Sequence, residues 1–203
     1  MKKTLLVLFA LSVMSLFSSA PVVAMQLGFA PGSQTINQGG TASVDIIATL
    51  GAGEIISAYD LDVAYDSTIV TATGVSFGTM LGDEFLFEAI TSFNFFSGVI
   101  DLAEVSFLSD VDLALLQSPG PITLATLFFS GDNPGTSPLS FINYEQGGND
   151  IKGVENIPYD SPILNDGSIT VRGGGAPVPI PAALWLLGSG LIGLIGLRRK
   201  LSN

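Results

Sequence analysis

Between residues 25 and 172 the apolar positions fall in short runs of Val, Ile, Thr, Phe and Leu, broken by Gly, Pro, Asn and Asp. No stretch there holds the 3.6-residue period of a long amphipathic helix. Such a pattern predicts an all-β chain, an antiparallel β-sandwich or jelly roll of about nine strands. The expected strands are Met25–Ala30, Thr41–Leu50, Ile56–Tyr65, Ile69–Phe77, Glu84–Ile90, Val99–Phe107, Ile122–Ser130, Pro138–Ile142 and Ser168–Val171. Asn37-Gln38-Gly39-Gly40, Gly51-Ala52-Gly53, Gly131-Asp132-Asn133-Pro134-Gly135 and Asn165-Asp166-Gly167 mark turns between them.

The clearest alternation is at 59–65. Tyr59, Leu61, Val63 and Tyr65 share one parity and predict a core face, while Asp60, Asp62 and Ala64 share the other. Leu108–Gln117 is the one expected helical turn, with Ser109 as its cap, Asp110 and Asp112 in its first turn and Pro119-Gly120 as its stop. The phenylalanines at 85, 87, 93, 95 and 96 are expected to be core or the base of a loop. A sugar platform would favour exposed Trp and Tyr instead.

The two ends have a different pattern and read as addresses. Lys2 and Lys3 precede an uncharged run of 13 residues, Leu5–Phe17, which is the form of a secretory signal peptide over 1–24. Cleavage between Ala24 and Met25 is expected, and 13 apolar residues are short for a membrane anchor. At the other end, the glycine-rich linker 173–177 leads into 178–203. There Ala182–Leu197 offers 16 uncharged residues, about 24 Å as a helix, followed by Arg198, Arg199 and Lys200. This predicts a transmembrane helix with a cytoplasmic basic tail and the body outside.

Charge sharpens the picture. The 203 residues carry 7 basic and 18 acidic side chains and no cysteine or histidine. Only Lys152 and Arg172 are basic within 25–177, whereas all the acids lie there, so the body has a net charge of −16. That field repels phosphate backbones, which excludes nucleic acid as a partner. Without Cys or His there is no thiolate or imidazole metal site, no disulfide and no Cys or His nucleophile–base pair. Asp60 and Asp62 lie within the separation a glycosidase needs, but a same-face pair on one strand reads first as a solvated strand face. No D-x-[DN]-x-[DN]-G loop occurs, and Asp132-Asn133 and Asn149-Asp150 read as turn residues. No cofactor and no enzymatic activity are expected, and a calcium site would have to be assembled from separate loops.

Two resemblances follow from these residues. Val178, Pro179, Pro181, Ala182 and Ala183, the run Trp185–Gly190 and the basic Arg198, Arg199 and Lys200 resemble the PEP-CTERM sorting signals of Gram-negative bacteria, in the Val-Pro-x-Pro-Ala variant. Ile180 stands where the family name has glutamate. The resemblance implies processing by an exosortase near the Pro motif and delivery to the cell surface or extracellular matrix.

The body, from Ile56–Asp66 with its Tyr-Asp turn through Ala103-Glu104, the Gly147–Asp150 loop and the closing Asp166–Val171, is similar to cohesin domains. That likeness implies non-enzymatic binding or scaffolding, with one sheet face receiving a dockerin-like protein. Asp60 falls at a position where family members anchor the dockerin, and Glu104 near a strand-end glutamate that they also use. A carbohydrate-binding module contacting a polysaccharide is the alternative, and a carboxylate-only glycosidase a distant third.

Overall fold

The structure is a computed structural model, and it describes residues 25–142, 150–159 and 162–174. Two β-sheets face each other, and their inward side chains form one core. The strands in chain order are β1 (Gln26–Ala30), β2 (Ser33–Asn37), β3 (Thr41–Leu50), β4 (Ala58–Ala64), β5 (Val70–Phe77) and β6 (Ala89–Phe96). They continue as β7 (Val99–Ser106), β8 (Gly120–Gly131), β9 (Gly135–Ile142), β10 (Asp150–Lys152), β11 (Ile163–Leu164) and β12 (Gly167–Arg172). The first sheet has the order β11-β1-β3-β8-β5. The second has the order β2-β12-β9-β4-β7-β6, with β10 pairing the other half of the β4 edge that β9 uses.

Alternation decides which side chains enter the core. Along β3, Ala42, Val44, Ile46, Ala48 and Leu50 are buried and the residues between them are not. β4 obeys the same rule through Tyr59, Leu61 and Val63, as its sequence predicts, while Tyr65 just beyond it is half-buried and packs edge-on against Phe129 at 5.6 Å. In β8 the successive residues Leu124 and Ala125 are both buried, because a bulge opposite Ile46/Ile47 shifts the register by one. Phe29 of β1 stacks on Phe141 of β9 at 4.6 Å, tying the two sheets together. Gly167 makes that stack possible, since a Cβ there would lie 2.9 Å from the Phe29 side chain.

Several expectations are corrected. There are twelve strands among the described residues, not about nine, and the sandwich is not purely antiparallel: β1–β11 and β2–β12 run parallel. Glu84–Ile90 is not a strand. Asp83 caps a 3-10 turn over Glu84–Leu86 by accepting from the Phe85 N–H, Phe87 adopts a left-handed conformation with φ of 58°, and the strand starts only at Ala89. Its aromatics are not core: Phe85 is 93% exposed, and Phe87, Phe93, Phe95 and Phe96 are also exposed. The helix α1 (Asp110–Leu116) forms where expected, with Ser109 accepting from the Asp112 N–H. The expected signal peptide and the expected C-terminal span lie outside the described residues. No helix among the described residues is long and apolar enough to cross a membrane.

Candidate partner-binding face

β4 and β7 are the central pair of the second sheet, and their outward residues form a face that the first sheet does not cover. Cross-strand register gives its rows. Ile90, Val105, Ala58 and Lys152 form one row, followed by Ser92, Ala103 and Asp60. Next come Asn94, Asp101, Asp62 and Ile142, and then Phe96, Val99, Ala64 and Ser140. The face is therefore acidic in the middle, through Asp60, Asp62 and Asp101, with exposed Ile90 and Val105 along one end and exposed Phe96 at the other.

Asp62 and Asp101 stand directly opposite each other across the β4–β7 ladder. Like charges in that relation oppose pairing, and Lys152 stands one row beyond Asp60 on the same face. A positively charged surface would complement the acidic middle of the face.

Asp60 is exposed on this face, as its parity predicts. Glu104 is not. It shares parity with the buried Ile100 and Leu102, its side chain is 1% exposed, and it turns away from the face into the interior. The role of Glu104 as a contact on the partner face is therefore corrected. Its carboxylate Oε2 meets the buried hydroxyl of Tyr59 at 2.8 Å. Burial pushes the Glu104 carboxyl up to about 7, only partly offset by that hydrogen bond and reinforced by the nearby charge of Glu84. Burial and the same carboxylate push the Tyr59 phenol up as well.

The Tyr-Asp turn after β4 is built as a local cap. Asp66 Oδ1 accepts from the Thr68 hydroxyl at 2.6 Å and from its backbone N–H at 2.9 Å, which holds that carboxyl below the usual carboxylate range. Asp132 and Asn133 are turn residues as expected: Asp132 accepts from the Ser130 and Thr71 hydroxyls, and Asn133 donates to the Thr68 carbonyl. Among the described residues no three Asp or Glu side chains converge as a metal site would require. Asn149 and the residues of the expected sorting signal, Val178, Pro179, Pro181, Ala182, Ala183, Arg198, Arg199 and Lys200, lie outside the described residues, as does Ala24. Met25 begins the described chain and is buried.

One residue the sequence did not single out holds the end of the sandwich together. Gln117, just past α1, is buried; its Oε1 accepts from the Ile56 N–H at 2.7 Å, and its Nε2 donates to the carbonyls of Ile56 at 2.7 Å and Met80 at 2.9 Å. A polar residue after a helix is too common a signal to have marked it.

No protein-family model matches the chain, and no curated protein does. Solved structures do. A chain of a type I cohesin–dockerin complex from Clostridium thermocellum superposes with a TM-score of 0.58 at 14% identity, covering 73% of this chain and 99% of that one. The seventh type I cohesin of a Pseudobacteroides cellulosolvens scaffoldin gives 0.57 at 20% identity, covering 77% and 96%. A non-cellulosomal cohesin from the archaeon Archaeoglobus fulgidus gives 0.54 at 11% identity, covering 73% and 91%. The fold is that of a cohesin domain.

Proposed function

We propose that this is an exported, non-enzymatic binding module that presents the acidic face of β4 and β7 to a dockerin-like protein at the cell surface or in a biofilm matrix. The observation that carries the reading is the grouping of three carboxylates, Asp60, Asp62 and Asp101, on the outward face of the β4–β7 pair of a cohesin-like sandwich. An amphipathic helix with basic residues at its centre and an apolar flank would complement both the acids and the Ile90/Val105 end. In this reading residues 1–24 are removed on export, 173–177 act as a linker, and 178–203 anchor the chain in the membrane until an exosortase-type enzyme cuts near Val178 and Pro179.

Retention of host surface proteins on the purified, processed protein tests the binding claim. A protein held by the wild type should be lost with Asp60→Lys and kept with Ser43→Lys, which adds the same charge to the exposed surface of β3 on the opposite sheet. Equal losses from both variants would show a charge effect without a face. Retention of a polysaccharide alone would replace the protein partner with a glycan.

A further inference from the structure

Among the described residues the two main strand paths end in four edge strands, and three are blunted in ways that discourage another strand from pairing. β11 has two residues, β2 is a five-residue polar strand (SQTIN), and β5 carries a bulge between Ala72 and Gly74. β6 differs. Its eight residues, AITSFNFF, contain no proline and no charge, and they pair with β7 without a register break. Ile90, Phe93, Phe95 and Phe96 are all exposed along it.

The backbone geometry shows which groups point outward. The Glu88 carbonyl accepts from the Phe107 N–H, so the alternate residues Ile90, Ser92, Asn94 and Phe96 exchange hydrogen bonds with β7. The N–H and C=O groups of Thr91, Phe93 and Phe95 therefore face the edge. The side chains of the same three residues share the inward parity of Glu104, Leu102 and Ile100.

Beside this edge the two sheets gape. A cavity of about 440 Å³ lies between β5 and β6, with Val75, Phe77 and Phe93 as apolar walls and Asp83, Glu84 and Glu104 as carboxyl groups. No basic residue lines it. Phe77 and Phe93 lie 6.4 Å apart, and the Phe93 and Phe95 rings 5.4 Å. Gly78 lines the cavity just past β5: its N–H donates to the Leu124 carbonyl at 2.7 Å, and a Cβ would lie 2.2 Å from the Thr123 carbonyl oxygen, so only glycine lets the chain approach β8 there.

We propose that β6 accepts an extended segment of a partner polypeptide as an added antiparallel strand, and that this segment inserts one lysine or arginine side chain into the cavity between β5 and β6. Strand addition satisfies the outward backbone groups of Thr91, Phe93 and Phe95. It also sends every second side chain of the incoming strand inward. The side chain over the cavity meets the acidic lining of Asp83 and Glu84 and the rings of Phe77 and Phe93, which suit an ammonium or guanidinium head and its aliphatic stem. Its neighbours two residues away meet Phe95 and the exposed rings near Phe85, which suit apolar side chains. A second copy of β6 fits poorly, because it would place an uncharged phenylalanine or threonine over the carboxyls. This site uses the free edge and inward side of β6, whereas the outward residues Ile90, Ser92, Asn94 and Phe96 border the β4–β7 face.

The probes are two blocked peptides of alternating threonine and Val-Lys-Phe or Val-Glu-Phe residues, added to the processed protein at up to millimolar concentration. The lysine peptide should bind at least tenfold more tightly than the glutamate peptide and slow amide exchange at Thr91, Phe93 and Phe95. Glu84→Gln, on an exposed loop residue, should reduce that preference at least threefold. Thr91→Pro removes one outward N–H without touching the β7 pairing and should weaken both peptides. Asp60→Lys should leave the preference intact, whatever becomes of the acidic face. Equal affinity for the two peptides, exchange slowed elsewhere, or self-association through β6 in the absence of peptide would each overturn the proposal.

Discussion

The hydroxyl oxygen of Tyr59 lies 2.8 Å from Glu104 Oε2 and 3.1 Å from the carbonyl oxygen of Leu124, so one buried phenol stands between two acceptors. A phenol has a single hydrogen. That hydrogen is directed to Glu104 Oε2 or shared with the Leu124 carbonyl. Donation from Tyr59 favours the ionised carboxylate, but desolvation outweighs it, and the carboxyl is pushed up to about 7 from an ordinary 4.5.

The sign of the resulting pH dependence is fixed by which state holds the proton. Between about 4.5 and about 7 the folded chain keeps a proton on Glu104 that the unfolded chain has released. Stability from this group is therefore complete below 4.5, falls as pH rises through that window, and levels off above it. Glu104→Gln presents the neutral form at every pH. Thermal melts at pH 5 should show wild type and variant nearly equal; at pH 8.5 the wild type should be the less stable, by at most about 3 kcal/mol. A gap that stays constant with pH would contradict the protonated assignment.

Gln117 fastens the 51–57 segment and the 78–82 segment to the end of α1 through three hydrogen bonds, two of them fully buried. Gln117→Leu keeps the bulk and strands the Ile56 N–H and the two carbonyls. We expect a loss of about 2–3 kcal/mol, read by denaturant unfolding, with faster amide exchange at Ile56. Unchanged exchange there would mean the clasp is not what orders that segment.

Asp101→Asn removes one of two opposed charges from the β4–β7 ladder. Stability should rise by about 0.5 kcal/mol, with a larger gain at low salt, while retention of a basic partner falls. A variant that gains stability and binds equally well would separate the charge opposition from partner binding.

Processing gives an independent check on the ends of the chain. Intact mass of the protein recovered from the surface of its host should begin at Met25 and end near Val178, and a host lacking the exosortase should yield a longer chain. A recovered chain that still carries Leu191–Asn203 in the normal host would indicate a plain membrane anchor.

The sandwich was legible because β3 and β12 alternate, as do β4 from Tyr59 onward and β8 on either side of its bulge, between glycine and asparagine turns. β6 was misplaced for a physical reason. Phe85, Leu86 and Phe87 have strand-like composition, but Asp83 caps a turn there and Phe87 takes a positive φ, so these apolar residues end up in solvent. β2, β10 and β11 were missed because they are short and polar or carry no alternation of their own. They exist because longer strands offer them an edge. Glu104 shows the limit of resemblance against parity: its spacing from Ile100 and Leu102 placed it inward, and the structure follows the spacing. Its role needed the partner Tyr59, 45 positions away, which no local pattern reveals.

The central claim is that the outer face of β4 and β7 receives another protein. A photo-crosslinking amino acid at Ala103, paired with Asp60 and beside the Asp62–Asp101 pair, reads it directly in the native host. The account predicts a discrete covalent adduct with one other protein from position 103, and none when the same group replaces Ser43 on the opposite sheet. An absence of adducts from position 103, or equal adducts from both positions, would contradict it.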